Sequence, residues 1–503
     1  VRYALFAAAG LLAACSLDPA YQRPAAPVAA QYPSGPAYAK NGQGEGRAAN
    51  PALAADAVGW RDFFADPRLQ ALIEIALRNN RDLRVAILDI DQAQAQYRVQ
   101  RADLFPSIAA TGAADYEGLP TSTTIPYSSS GSTSTSTTST GTATGTTSAV
   151  VPTGGGGTYR YYTANLGFTS YELDLFGQLR SLTRQKFENY LSQTEQTRST
   201  QISLVAEVAS AYLTLLGDQA LLRLTQDTVK SQADSYRLTK MMLDYGSATL
   251  LSVKQAEQSL DTAQANLSQY TRQVAQDENA LVLLLGEPMP ADLPPGRTLS
   301  DQDLIADLPA GLPSDLLAQR PDIAAAEHTL LGANANVGAA RAAFFPSITL
   351  TGSGGFASNQ LNKLFTGGSV TWLFAPQLNI PIFTGGENQG NLDLAKTEKR
   401  IDIANYEKAI QTAFREVADA LAARGTYGDQ LRAQATLVQA ASDSYNLSQM
   451  RFRTGVDTFL NVLDSQRTLY AAQQTLVTVK EAELTNLVTL YKVLGGGLRE
   501  HST

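Results

Sequence analysis

The sequence predicts a mainly α-helical protein with a membrane β part, built as two structural repeats with four strands per chain. Three observations predict it. First, Tyr236–Leu267 and Tyr445–Leu476 are copies of one pattern, with Gly455 lying 209 residues after Gly246. Tyr, Gly, Thr, Leu, Val, Ala and Gln recur at that offset, so the chain is two copies of one unit. Second, no proline occurs between Pro152 and Pro288, or after Pro381, which leaves room for very long helices. Third, two pairs of segments alternate apolar with small polar residues.

Composition narrows the function classes. Charged residues are 17% of the 503, and no apolar run of transmembrane-helix length is expected. A net charge of −8 without basic clusters argues against a nucleic-acid partner. His328 and His501 are the only histidines, too few for a histidine metal site, and no Ser-His-Asp set is readable. Gly154–Gly157 and Gly385-Gly386 lack the Lys-Ser/Thr of a phosphate loop. No catalytic residue, cofactor or metal is expected; the long helices and strands point to a channel rather than an enzyme.

The elements follow in order. Arg2, an apolar run from Ala4 and Leu12-Ala13-Ala14-Cys15 read as a lipoprotein signal peptide over 1–14, with Cys15 as the lipid-attachment thiol. Residues 15–59, rich in Pro, Ala, Gly and Tyr, read as an extended, lipid-anchored tether wrapped over other structure. After Trp60–Pro67, an apolar face of Leu69, Leu72, Ile73, Ala76 and Leu77 opens a helix continuing to about Ala102, where Phe105-Pro106 ends it.

Strands are expected at about 104–116 and 159–173, and again at about 345–356 and 370–381. In the second, Tyr162, Ala164, Leu166 and Phe168 alternate with Thr163, Asn165 and Thr169. In the fourth, Val370, Trp372, Phe374 and Leu378 alternate with Thr371, Gln377 and Asn379. Such alternation suits a membrane barrel with a wet lumen, or a soluble sandwich with one buried face. In the membrane case four strands cannot close, because unpaired edges in lipid are too costly. Other copies must complete them: a dimer gives eight strands and a trimer twelve.

Helices are expected at about 177–243, 250–285, 388–453 and 458–493. Val205, Val208, Tyr212, Leu215, Leu222, Val229, Ala233 and Tyr236 form a heptad seam, which resumes at Val253, Ala256, Leu260 and Ala263. A helix of about 65 residues spans roughly 95–100 Å, far more than a globular domain needs. Between the first two strands lie roughly 33 residues that the second copy lacks. This Ser/Thr/Gly-rich loop at 119–158 carries no charge between Glu117 and Arg160 and is expected to be mobile. Residues 291–313 read as a linker between repeats 60–290 and 314–497, and 498–503 as a tail.

Taken together, the motifs Leu12–Cys15, Trp60 through Asp66-Pro67, Phe-Pro-Ser-Ile at Phe105 and Phe345, Arg451–Gly455, Leu463–Arg467 and Leu490–Gly497 are specific in order and spacing. On them the chain resembles the TolC-like outer-membrane factors, especially the OprM-type efflux lipoproteins. The resemblance implies a homotrimer: a twelve-stranded barrel, a long periplasmic α-helical tunnel and a mixed equatorial belt. It implies a passive exit duct for a tripartite multidrug pump. The partners would be a periplasmic membrane-fusion adaptor, an inner-membrane transporter of the resistance-nodulation-division class, and outer-membrane lipid. A type I protein-secretion duct shares the architecture; a lipid-anchored coiled-coil adhesin leaves the strands unexplained.

By the same resemblance, Leu460, Asp464, Arg467 and Arg451 would close the periplasmic tip as a leucine ring, an acidic ring and salt bridges. Leu460, Asp464 and Arg467 share one helix face by spacing. The first copy has Leu251, Gln255 and Gln258 there, without the charges. Gly246, Thr454, Gly455 and Val456 would form the hairpin tips that meet the adaptor. By its place between barrel strands the Ser/Thr/Gly-rich loop would be extracellular.

Overall fold

The computed structural model describes residues 16–38, 55–119, 157–305, 308, 313–314 and 316–502. The signal peptide, Cys15, most of the low-complexity loop and part of the tether lie outside them. The described chain forms two units. One comprises the residues up to Arg23, Gln92–Tyr190 and His328–Ile403; the other comprises those of Pro24–Asp91, Leu191–Glu327 and Ala404 onward.

The first unit holds an antiparallel sheet in the order β1 (Ile108–Leu119), β2 (Gly157–Leu173), β3 (Ser347–Ser358), β4 (Val370–Asn379). Its register sorts the side chains into two faces. Ile108 pairs with Phe168, Ala110 with Leu166 and Ala114 with Tyr162. Ile348 pairs with Leu378, Gly352 with Phe374, Gly354 with Trp372 and Phe356 with Val370. Because pairing partners share a face, one face gathers the aliphatic and aromatic residues, with glycines among them and Arg160 and Ser358 toward the loop ends of the strands. The other carries pairs such as Thr111–Asn165 and Thr349–Gln377. The apolar face is bare: Ile108, Leu166, Trp372, Phe374 and Leu378 are exposed. Pro376 sits in β4, an edge strand, where a missing N–H is tolerated.

A bulge that alternation does not foretell lies in β2. Phe168 pairs with Gly352 but Tyr171 pairs with Leu350, so β2 carries one extra residue. Ser170 takes a positive φ of 55° there. The bulge keeps Tyr171 and Leu173 on the apolar face with Leu350 and Ile348, and leaves Glu172 beside Thr349 on the polar one. Unbroken alternation from Phe168 would have turned Glu172 onto the apolar face.

The helices are α1 (Trp60–Phe63), α2 (Pro67–Asn79), α3 (Arg81–Ala102), α4 (Gln178–Asp244), α5 (Leu250–Leu285), α6 (Leu316–Gln319), α7 (Pro321–Ala342), α8 (Glu387–Arg453) and α9 (Phe459–Val493). The single helix expected from Leu69 to Ala102 is two. Asn80 breaks it: its side chain accepts from Leu83 N at 2.9 Å and donates to the Leu284 carbonyl at 2.9 Å. One residue thus ends α2 and caps α3, a role that apolar periodicity does not reveal.

The heptad seam is partly shifted. Val205, Val208, Tyr212 and Leu215 are buried, but further along α4 the buried positions are Leu221, Thr225, Gln232 and Thr239. Leu222, Val229, Ala233 and Tyr236 stay half-buried. Within one chain, the small polar stripe faces α9: Thr225 meets the Tyr470 hydroxyl at 2.8 Å, and Gln466 donates to Ser231 at 2.8 Å. The expectation of no apolar run of membrane length also needs correcting. An 18-residue window of α4 reaches mean hydropathy 1.2, but 61% of it is buried inside the protein, as befits a core helix.

The second unit's core gathers the segments around α1 and α2. Phe63 stacks on Tyr491 at 4.1 Å, and the Tyr491 hydroxyl donates to the Val58 carbonyl at 2.7 Å. Asp66, 1% exposed, is a hub. It caps α2 through Arg68 N, and one of its oxygens also accepts from Tyr212, Arg297 N and Gln302. The last residues join this core: Trp60 N and Arg61 N donate to the Arg499 and Glu500 carbonyls, and Arg61 pairs with Glu500 at 2.6 Å. Tyr32, in the tether, stacks on Phe414 at 5.3 Å.

Candidate functional site

Two helix hairpins turn on the repeated glycines. Gly246 and Gly455 have φ of 75° and 74°, the left-handed region that a side chain disfavours. Each closes its helix in the same way. Ser247 N donates to the Met242 carbonyl and Gly246 N to Leu243; Val456 N donates to Arg451 and Gly455 N to Phe452. This six-to-one and five-to-two pattern satisfies the last carbonyls of α4 and α8. Thr454 donates its hydroxyl to the Met450 or Arg451 carbonyl. Thr249 caps α5 through Ser252 N at 3.2 Å. The turns present apolar side chains to solvent: Tyr245 is 86% exposed, Leu251 68% and Val456 64%.

Beyond the second turn, α9 has two contrasting faces. Val462, Leu463 and Gln466 are buried against the chain. Leu460, Asp464 and Arg467 form the opposite, exposed stripe. Arg451 and Asp464 line one open cleft of about 620 Å³, together with Leu447, Asp457 and Asn461. Arg467 does not join it; its Nε reaches the Leu463 carbonyl at 3.5 Å. The expected cluster of Arg451, Asp464 and Arg467 is therefore only partly assembled, and Asp464 makes no ion pair among the described residues.

The partner of Arg451 is Asp457, at 3.2 Å, which sequence reasoning missed. Asp457 also accepts from Thr458 N at 2.8 Å and from the Asn461 amide. The backbone N–H of Thr458, then Asn461 and Arg451, hold its carboxyl below the ordinary carboxylate range. The signal was present in the repeat. Met242 and Ala248 occupy the positions of Arg451 and Asp457 in the first copy, so both charges are confined to the second turn.

A second polar group lies among α4, α5 and α9. Glu481 accepts from Thr214 at 2.8 Å, and Gln474 donates to Tyr270 at 3.0 Å. Asp277 and Asp218 share a hydrogen bond nearby, and one Asp277 oxygen is buried without another partner. Desolvation, then Asp218, then the charge of Glu481 push the Asp277 carboxyl up to about 7. His328, on α7, makes a 2.8 Å contact to Glu188.

Comparison with known proteins bears on this arrangement. The family model described as outer membrane efflux protein matches residues 72–287 and 312–496, one segment in each repeat. The chain is 49% identical over 492 residues to the probable efflux pump outer membrane protein TtgC of Pseudomonas putida, covering 98% of this chain and 94% of the relative. It is 40% identical to the outer membrane protein OprJ of Pseudomonas aeruginosa, over 97% of this chain and 94% of that one. The crystal structure of the open state of the Neisseria gonorrhoeae MtrE outer membrane channel superimposes with a TM-score of 0.83, at 35% identity. That match spans 97% of this chain and all of the other. Sheet, paired helix hairpins and sequence agree across nearly the full length, and the chain belongs to the outer membrane efflux protein family.

Proposed function

We propose that this chain is one subunit of the outer-membrane exit channel of a tripartite efflux pump, and that three copies form it. The observation that carries the proposal is the four-stranded sheet: one face apolar and bare, the other small and polar, with β1 and β4 as open edges. Open edges are intolerable in lipid. Three copies joined β4 to β1 give a closed barrel of twelve strands, wide enough for a passage. Efflux rather than protein secretion is favoured because the relatives named above are efflux proteins.

In this reading α4, α5, α8 and α9 of three copies form the periplasmic conduit. The turns at Gly246 and Thr454–Val456 meet a periplasmic adaptor, which couples the duct to an inner-membrane transporter of the resistance-nodulation-division class. The exposed stripe of Leu460, Asp464 and Arg467 faces the closed tip, with Arg451 behind it, held by Asp457. Cys15 carries the lipid anchor. The duct is passive, and the transporter supplies the energy.

The test is reconstitution of the full chain. Imaging of the purified protein is expected to show hollow trimers, and planar bilayers to show discrete conductance. Deleting the gene from its host is expected to raise susceptibility to several unrelated compounds. Solid rods, or a trimer without conductance in any tip variant, would sink the reading.

A further inference from the structure

Helices α3 and α8 each carry a stripe that their own chain leaves bare. On α3, Val85, Leu88, Gln92, Ala95 and Val99 recur at alternating steps of three and four, and all are exposed. The opposite side of that helix is buried at Leu83 and Ala86. On α8, Gly390, Leu394, Thr397, Ile401 and Ala404 recur at steps of four and three, and all are exposed as well. Ala395 and Tyr406 turn inward. Such spacing is the seam of a coiled coil. Glycine is unfavourable within a helix, yet Gly390 has open space where a Cβ would sit.

The open sheet edges bring these two helices together between copies. α3 leads into β1 and α8 leaves β4. β1 and β4 run antiparallel, so a β4-to-β1 joint lays α8 of one copy antiparallel to α3 of the next. Ala102 ends α3 six residues before β1, and Glu387 starts α8 eight residues after β4. Set level at those ends, the two stripes coincide at every layer. Val99 meets Gly390, Ala95 meets Leu394, Gln92 meets Thr397, Leu88 meets Ile401, and Val85 meets Ala404. Large faces small at Val99, Ala95 and Val85, as close packing requires. The same register sets opposite charges along one flank: Arg98 beside Asp393, Asp91 beside Arg400, and Arg84 beside Glu407. The other flank carries one like-charged pair, Asp89 and Glu398. Arg84, Asp91, Arg400 and Glu407 have no ion-pair partner in their own chain among the described residues.

We infer that α3 of one copy and α8 of the next pair as an antiparallel coiled coil in this register. The seam fastens neighbouring copies through an apolar line and three flanking ion pairs. The inference rests on the trimer proposed above and assigns its helical contact residues.

The experiment uses the full chain purified in detergent, with the mass of the untreated wild type read first. Leu88→Cys with Ile401→Cys is oxidised and run on denaturing gels without reductant. The matched layer brings these two side chains of neighbouring copies within disulfide reach. A covalent trimer is expected, lost on reduction and absent from either single variant. Leu88→Cys with Leu394→Cys, displaced by about 10 Å along the helix, is expected to stay a monomer on the gel. A ladder from the displaced pair, or a disulfide closed inside one chain, overturns the pairing. No link from the matched pair in a trimeric protein overturns the seam and leaves the trimer standing. Charge exchange gives a second reading. Asp91→Arg is expected to lower the temperature at which the trimer dissociates, and Asp91→Arg with Arg400→Asp to restore it. Failure of the exchange to restore it overturns the register, and this reading decides if the cysteine pair blocks assembly. A wild type that is not trimeric refutes the trimer itself, and the seam with it.

Discussion

Single residues concentrate the stability of the core and the chemistry of the proposed gate. Asp66 satisfies donors from three segments while almost fully buried. Removing it strands those donors at about 1–3 kcal/mol each. Asp66→Ala is therefore expected to lower stability by at least about 3 kcal/mol, read as a fall in denaturation midpoint. At the tip, Leu460→Ala with Arg467→Ala is expected to raise single-channel conductance in bilayers, by removing apolar bulk and a cation from the exposed stripe. Asp464→Asn is expected to weaken cation preference. Unchanged conductance and selectivity in these variants would place the constriction elsewhere. Asp457 adds a pH dependence. Its carboxyl is depressed in the folded chain, so its contribution is present above the unfolded value and disappears as pH falls through the folded one. The Arg451 contact should therefore loosen only below about pH 4, with a rise in conductance that Asp457→Asn reproduces at neutral pH.

At the scale of elements, turns and registers decide where side chains point. Gly455 has open space where a Cβ would sit, so its demand is purely for a left-handed backbone. Gly455→Ala is expected to cost about 1–2 kcal/mol locally and to weaken crosslinking from Thr454 to a periplasmic adaptor while the trimer still forms. Persistence of full crosslinking would free the turn from that role. The acid group among α4, α5 and α9 gives a different prediction. The folded chain holds the Asp277 proton up to about pH 7, whereas the unfolded chain releases it near 3.8. Stability from this site therefore falls as pH rises across that interval. Asp277→Asn is expected to flatten the decline, seen as a smaller loss of Tm between pH 5 and pH 8.

For the whole molecule, the proposed trimer explains what one chain leaves unfinished: bare apolar strands, two open sheet edges and a seam on α4 that stays half-buried. Each is a surface that a neighbouring copy or lipid would cover. Deleting 121–157, a segment outside the hairpin common to both repeats, is expected to leave trimer assembly and drug resistance near normal. Loss of trimer on gels would show that it packs against the barrel.

The fold class was legible in the sequence because its signals are local and repeated. A period of two marks β1 to β4, the absence of proline permits 67-residue helices, and a glycine at one offset marks both turns. The stripe of Leu460, Asp464 and Arg467 followed from spacing alone. What only the tertiary structure decided depends on partners distant in sequence. Asn80 breaks a helix because it can reach Leu284. Ser170 adds a bulge because β2 must present Tyr171 and Leu173 to the apolar face while pairing with β3. Arg451 chooses Asp457 over Asp464 because the closed turn presents that carboxylate to it. Periodicity fixes which face of an element is apolar; which polar group meets which is set by packing between elements, and a one-dimensional pattern does not carry it.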